Sequence, residues 1–278
     1  MKKWIGFLAG GAALVVVASV GYVWFSGGSG EPSTNITAPP ITTLPTTSAP
    51  STSPDTSISE SVATSSGPVA TDAAPAQPEP TEPTTVASTS PPSSSGGTEA
   101  TIYRIDQSES SVRFEIDEIL NGAPFRVVGT TSEVAGEMLI DFENPSRSRL
   151  GTVVINVRTL STDSSFRDRA MRGPILGSAR DEYEFAQFEP TDIEGLPDQV
   201  NPGEEIPLTI TGNFTLSGVS NTLTFNAKVK VVSDDRVEVT GTATVLRSDY
   251  GLNIPNVPSV TDVADEILLA VDLVAVPG

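Results

Sequence analysis

The 278 residues contain neither histidine nor cysteine. Ser-His-Asp hydrolysis, thiol nucleophiles, imidazole and thiolate metal sites, and disulfides are thereby excluded. Carboxylate, tyrosine and lysine chemistry remain. Beyond residue 100 the only lysines are Lys228 and Lys230, and both alternate with apolar neighbours in a way that places them on a solvent face. The acid pairs Asp181-Glu182 and Asp234-Asp235 lack the Asp-x-Asp-x-Asp-Gly frame of a calcium loop and read as solvated turns. Arg167-Asp168 could orient a polar group of a ligand; a structural ion pair or a helix cap is the competing account. Arg247 and Asp249 read as residues that hold a turn. No catalytic residue and no metal site is expected.

The elements that must position these groups are strands. From Leu208 the apolar residues fall on even numbers (Leu208, Ile210, Phe214, Leu216), and beyond Ser217-Gly218-Val219-Ser220-Asn221 they fall on odd ones (Leu223, Phe225, Ala227, Val229, Val231). Period two on both sides of a Gly-bearing loop predicts an antiparallel hairpin with one buried and one wet face. Similar runs predict strands near Tyr103–Ile105, Ser111–Ile116, Phe125–Thr130, Ala135–Asp141 and Thr152–Val157. Further strands are predicted near Glu184–Phe188, Arg236–Leu246 and Glu266–Val276. Ser161–Ala179 does not alternate; Ser164–Met171 is predicted as a short helix stopped by Gly173-Pro174. Many short strands and almost no helix make the region all-β, an antiparallel barrel or sandwich of meander type. Phe114, Phe214 and Phe225 point inward, either as plain core or as the lining of a cavity. Phe166, Met171, Ile175, Leu176 and Tyr183 lie in or near the irregular stretch that could cover one end.

Ahead of this region, Trp4–Phe25 is an apolar run of about 22 residues, close to the ~30 Å of a bilayer core. Lys2 and Lys3 precede it and no base follows until Arg104, so residues 1–25 read as a cytoplasmic N-terminus and single transmembrane anchor. A cleaved signal peptide is the competing reading. Residues 26–100 are rich in Pro, Ser, Thr, Ala and Gly, with few large apolar groups; they read as a disordered tether with a reach on the order of 200 Å. The third part, 101–278, would lie outside the cytoplasmic membrane. The whole carries 16 Lys and Arg against 35 Asp and Glu, a formal charge of −19. Such a balance argues against nucleic acid and against anionic lipid surfaces as partners.

Several motifs in order resemble the YceI-like family of lipocalin-like polyisoprenoid-binding domains. They are the opening TIYRIDQSESSVRFEI, Val128-Gly129-Thr130 with Gly136-Glu137-Met138-Leu139-Ile140, and Ser161-Thr162 followed by Phe166-Arg167-Asp168. Tyr183-Glu184-Phe185-Ala186-Gln187-Phe188 follows, with Glu184 where the family usually has proline; then come GNFTLSGVS, Arg247-Ser248-Asp249-Tyr250-Gly251 and Asp265-Glu266-Ile267. The family's histidine after the second strand is replaced by Ile116-Asp117-Glu118, and its aromatic pair after Arg-Asp by Ile175-Leu176. The resemblance implies an eight-stranded antiparallel lipocalin-like barrel with a short helix, holding an isoprenoid quinone or polyprenyl chain. No other cofactor is implied. The implied lipid contacts are Phe114, Met138, Phe166, Met171, Ile175, Leu176, Tyr183, Phe188, Phe214 and Phe225, with Arg167 and Asp168 at the headgroup. A stalked surface or adhesion domain with a solid core is the alternative.

Overall fold

The computed structural model describes residues 30–34, 36–41 and 100–278. The expected anchor at 4–25 and most of the expected tether lie outside the described residues. Among the described residues no helix is long and apolar enough to cross a membrane.

The chain from Thr101 onward forms one antiparallel sheet of thirteen strand segments, curled into a half-barrel. In order they are β1 (Thr101–Ile105), β2 (Ser111–Leu120), β3 (Ala123–Thr131), β4 (Val134–Ala135), β5 (Glu137–Ile140), β6 (Arg149–Leu150) and β7 (Val153–Asn156). After a helical segment come β8 (Phe185–Glu194), β9 (Glu205–Leu216), β10 (Val219–Ser233), β11 (Arg236–Leu246), β12 (Val260–Thr261) and β13 (Glu266–Pro277). The expected eight-stranded barrel is instead a half-barrel sheet of thirteen segments, in which β4, β6 and β12 have two residues each and β8, β9, β10, β11 and β13 have ten or more. Gly136 alone separates β4 from β5; β4 pairs with β7, while β5 pairs with β1 and β6. The two ends of the strand order are therefore drawn towards each other.

Register follows the alternation in the sequence. On β9 and β10, Leu208, Ile210, Phe214, Leu216, Leu223, Ala227 and Val231 are buried. The connecting loop is tighter than the predicted five residues. Leu216 pairs with Val219, and only Ser217 (φ 52°) and Gly218 (φ 81°) turn the chain. Two consecutive positive φ values make a two-residue turn of the type whose twist matches the flanking strands. Asn121 (φ 53°) and Gly122 (φ 83°) turn β2 into β3 in the same way.

The predicted helix is present as α1 (Ser165–Ala170), with the Ser164 hydroxyl accepting from the Arg167 N–H at 3.5 Å. Gly173-Pro174 does not stop it. The helical path continues through a π-helical turn, Met171–Ile175, in which the Leu176 N–H donates to the Met171 carbonyl at 2.8 Å. The wider turn accommodates Pro174, which has no N–H to donate.

The start of the expected tether is not free chain. Ala38 is buried against Ala135 and Val154, with Ile36 and Phe185 beside them. The composition of 26–100 forms no core of its own, but a short extended piece can still pack on a surface formed by the rest of the chain.

Candidate functional site

The inner face of the curled sheet does not meet a filled core. It encloses a cavity of about 440 Å³ whose lining is almost wholly apolar. Every second residue of β13 faces it (Ile267, Leu269, Val271, Leu273), as do Phe114 and Ile116 of β2 and Val153 and Ile155 of β7. Phe188, Phe214 and Phe225 from β8, β9 and β10 stand together on one wall. The rings of Phe188 and Phe225 meet edge to face at 5.2 Å, and Phe214 packs on Tyr250 at 5.7 Å. Phe114, Phe225, Leu269 and Val271 point inward yet are only half-buried. Inward apolar side chains that keep accessible surface are what an unfilled interior produces.

Of the predicted contacts, Phe114, Phe166, Met171, Ile175, Leu176, Phe188, Phe214 and Phe225 line this cavity, and so does Arg167. Three predicted residues do not. Met138 on β5 is buried, paired with Tyr103 and with Leu150, and does not reach the cavity lining. Tyr183 lies over the β9–β10 turn, where a Cβ on Gly218 would come within 3.0 Å of its ring, and it stacks on Arg180 at 4.3 Å. Asp168 turns back along the chain and accepts from the Thr162 N–H at 2.8 Å and the Thr162 hydroxyl at 2.7 Å. It fixes the loop that leads into α1.

The open end combines α1 with the stretch from Leu252 to Val263, which contributes Leu252, Ile254, Pro255, Val257, Val260 and Val263. Sequence reasoning missed this stretch because it follows no strand or helix period. Its signal was an apolar residue every two or three positions in a Pro-containing run. Ser217 fastens the β9–β10 turn to the helical segment by donating to the Leu176 carbonyl at 2.8 Å.

The charged groups of the lining are already partnered. Glu118 falls on the inward set of β2 and is buried; Arg167 of α1 reaches it at 3.1 Å and also pairs with Asp163. Arg113 bonds Asp272 at 2.7 Å and Glu115 at 3.3 Å. Arg247 donates to the carbonyls of Ala264 (3.1 Å) and Leu252 (3.2 Å), tying the mouth loop to the sheet. Nearby, hydrogen bonds from Ser248 hold the Asp265 carboxyl below its ordinary value. Burial pushes the phenols of Tyr103 and Tyr250 up, so neither offers a phenolate base at neutral pH. Among the described residues no group of three acids could hold a metal ion. The cavity is equipped for an apolar guest.

Known proteins share this architecture. The structure of a polyisoprenoid binding domain from Saccharophagus degradans, implicated in plant cell wall breakdown, superposes with a TM-score of 0.52 at 16% identity, covering 65% of this chain and 100% of that one. At that identity the likeness is one of fold. A UPF0312 protein of a Shewanella species is 31% identical over 177 residues, 60% of this chain and 85% of that protein. One from Pseudomonas aeruginosa is 30% identical over 150 residues, 52% of this chain and 72% of its own length. The profile of the YceI-like domain matches residues 103–275, and over that span the chain belongs to the YceI-like family.

Proposed function

We propose that the chain is a membrane-tethered, extracytoplasmic binding protein that carries, stores or sequesters an isoprenoid lipid, a quinone or a polyprenyl chain, in its apolar interior. The observation that carries this reading is the cavity itself: about 440 Å³, apolar, open at one end and walled by three phenylalanines from consecutive strands. Its size falls within the range of small-ligand pockets. The fold neighbour described as polyisoprenoid binding supports the same ligand class. Each buried CH₂ contributes about 0.8 kcal/mol, while association costs about 4–15 kcal/mol. A few buried isoprene units therefore suffice for micromolar binding without a polar anchor.

The membrane part rests on residues 4–25, whose length and flanking charges suit a single span with the domain outside. A stalked adhesion domain with a solid core fits less well, because the interior is not solid. The test is to express the full chain in a lipid-containing bacterium, purify it in detergent and extract it with solvent for mass spectrometry. An isoprenoid near one per chain is the expected result. Its absence, together with no uptake of added quinone or polyprenol, would overturn the reading.

A further inference from the structure

Gly30 to Ile41 lie outside the span shared with the family, yet they engage the domain at specific groups. Val153 and Ile155 face the cavity, so Val154 between them projects to the opposite, outer side of the sheet. There Ala38 fills a small apolar patch made by Ala135, Val154 and Phe185. Beside the patch lies an ion pair, Arg158 with Glu184 at 3.2 Å, whose side chains are only 2% and 4% exposed. A buried pair is tolerable only when its remaining hydrogen-bonding capacity is filled. The N-terminal segment supplies much of that filling. The Ser33 N–H donates to Glu184 Oε1 at 2.6 Å and its hydroxyl to Oε2 at 2.8 Å, while Arg158 donates to the Glu31 carbonyl at 2.6 Å. At the far end the Ile41 N–H donates to Glu137 at 3.0 Å.

The fit is close at two glycines. A Cβ on Gly30 would come within 2.6 Å of the Ala179 carbonyl oxygen, a backbone atom that cannot swing aside. A Cβ on Gly151 would come within 2.8 Å of the Ile41 side chain. Hydrogen bonds to a buried charge, a filled apolar patch and bare backbone at both ends make this a built site for one extended peptide, the chain's own.

We propose that residues 30–41 form a latch that docks the domain beside whatever precedes Gly30 and takes the tether out of use until it is released. Latched, only four residues, 26–29, separate Gly30 from the expected anchor, and four residues can span at most about 15 Å. Unlatched, the same domain has the whole of 26–100, with a reach on the order of 200 Å. The consequence for membrane distance rests on the anchor proposed above; the latch itself does not.

The experiment uses the full chain in detergent, with an N-terminal affinity tag and a protease site inserted between residues 42 and 99. After cleavage the tag is captured and the domain fragment is quantified in the bound and free fractions. The expected result is that the domain stays bound although the connecting peptide is cut. Gly30→Ala and Ser33→Ala should each weaken retention about tenfold or more, since the first disrupts close packing on the Ala179 carbonyl and the second removes the hydroxyl hydrogen bond to a charged carboxylate while keeping the Ser33 N–H bond. Their melting curves should keep the single transition of the parent. Loss of the domain from the tag after cleavage of the parent without either substitution, or full retention in both variants, would overturn the latch. The capture does not require residues 4–25 to be in a membrane or the cavity to hold lipid. Failure of either of those readings is therefore separable from failure of this one.

Discussion

Gly129 stands directly across the β2–β3 ladder from Phe114, and a Cβ at Gly129 would overlap the Phe114 ring. The ring packs against bare backbone at Gly129 and also lines the cavity. Any side chain at 129 must therefore drive Phe114 into the cavity or strain the strand pair. Gly129→Ala is expected to cost about 1–3 kcal/mol by overpacking and to reduce extracted lipid per chain. Urea denaturation and lipid quantification on the same preparation check both effects.

Phe214 and Phe225 come from paired strands but have different surroundings. Phe214 is 6% exposed and packs on Tyr250, whereas Phe225 is half-buried against the cavity. Truncating a phenylalanine in a filled core costs about 3–5 kcal/mol. Phe214→Ala should fall in that range and Phe225→Ala clearly below it, because part of the Phe225 surface has no packing partner to lose. Equal losses in urea denaturation would mean that the interior is filled.

The strands and their inward faces were legible because period two is a local property. The switch from even to odd apolar positions placed the β9–β10 turn within a few residues, and Arg236–Leu246 matches its predicted bounds. The aromatic wall followed from the same parity. The mouth did not, since Leu252–Val263 is held by Arg247 bonds to main-chain carbonyls and leaves no periodic trace. Asp168 and Arg167 are neighbours in sequence but diverge, one to Thr162 and one to Glu118, as successive residues on a helix point in different directions. The docked segment was hidden most completely. Ser33 and Ala38 sit in a low-complexity composition, and their partners Arg158 and Glu184 meet only after folding. The one trace was Glu184 itself, an acid at a position where the family pattern has proline.

The mouth chemistry predicts which headgroup is accepted. Arg167, the α1 cation of the cavity lining, is balanced by Glu118 and Asp163, so a diphosphate there would meet two carboxylates beside a guanidinium that is already paired. An uncharged quinone or alcohol meets no such repulsion. Competition binding should rank a polyprenol or quinone above the matching prenyl diphosphate. Glu118→Gln should narrow the gap about tenfold, roughly the 1.4 kcal/mol scale of one charged hydrogen bond.

The Arg158–Glu184 pair should be costly to break from either side. Arg158→Ala leaves a buried carboxylate whose guanidinium partner is gone, and an unpaired buried charge of this kind costs about 3–5 kcal/mol. Ser33→Ala should cost the folded domain far less, because water can enter where the latch lifts. Guanidinium denaturation of the two variants would show the difference as a large and a small shift of midpoint.

Glu137 ties the latch to pH. Its carboxylate accepts from the Ile41 N–H and then from Arg104, and these bonds hold its carboxyl below the ordinary value of 4.5. A carboxyl whose pKa is lower when docked contributes its full stabilisation above the undocked pKa. That contribution is lost as pH falls through the docked one. The Ile41 end should therefore be indifferent to pH from neutrality down to about 5, and loosen only in the acid window below 4.5. Removing the charge removes the dependence. Glu137→Gln keeps an acceptor for Ile41 but should flatten this end's response across that window. Amide hydrogen exchange at Ile41, followed from pH 6 to pH 3 after correction for intrinsic rates, reads the site directly. Rising exposure below pH 4.5 in the parent and a flat profile in the variant are expected; parallel profiles would assign the docking of Ile41 to packing on Gly151 instead.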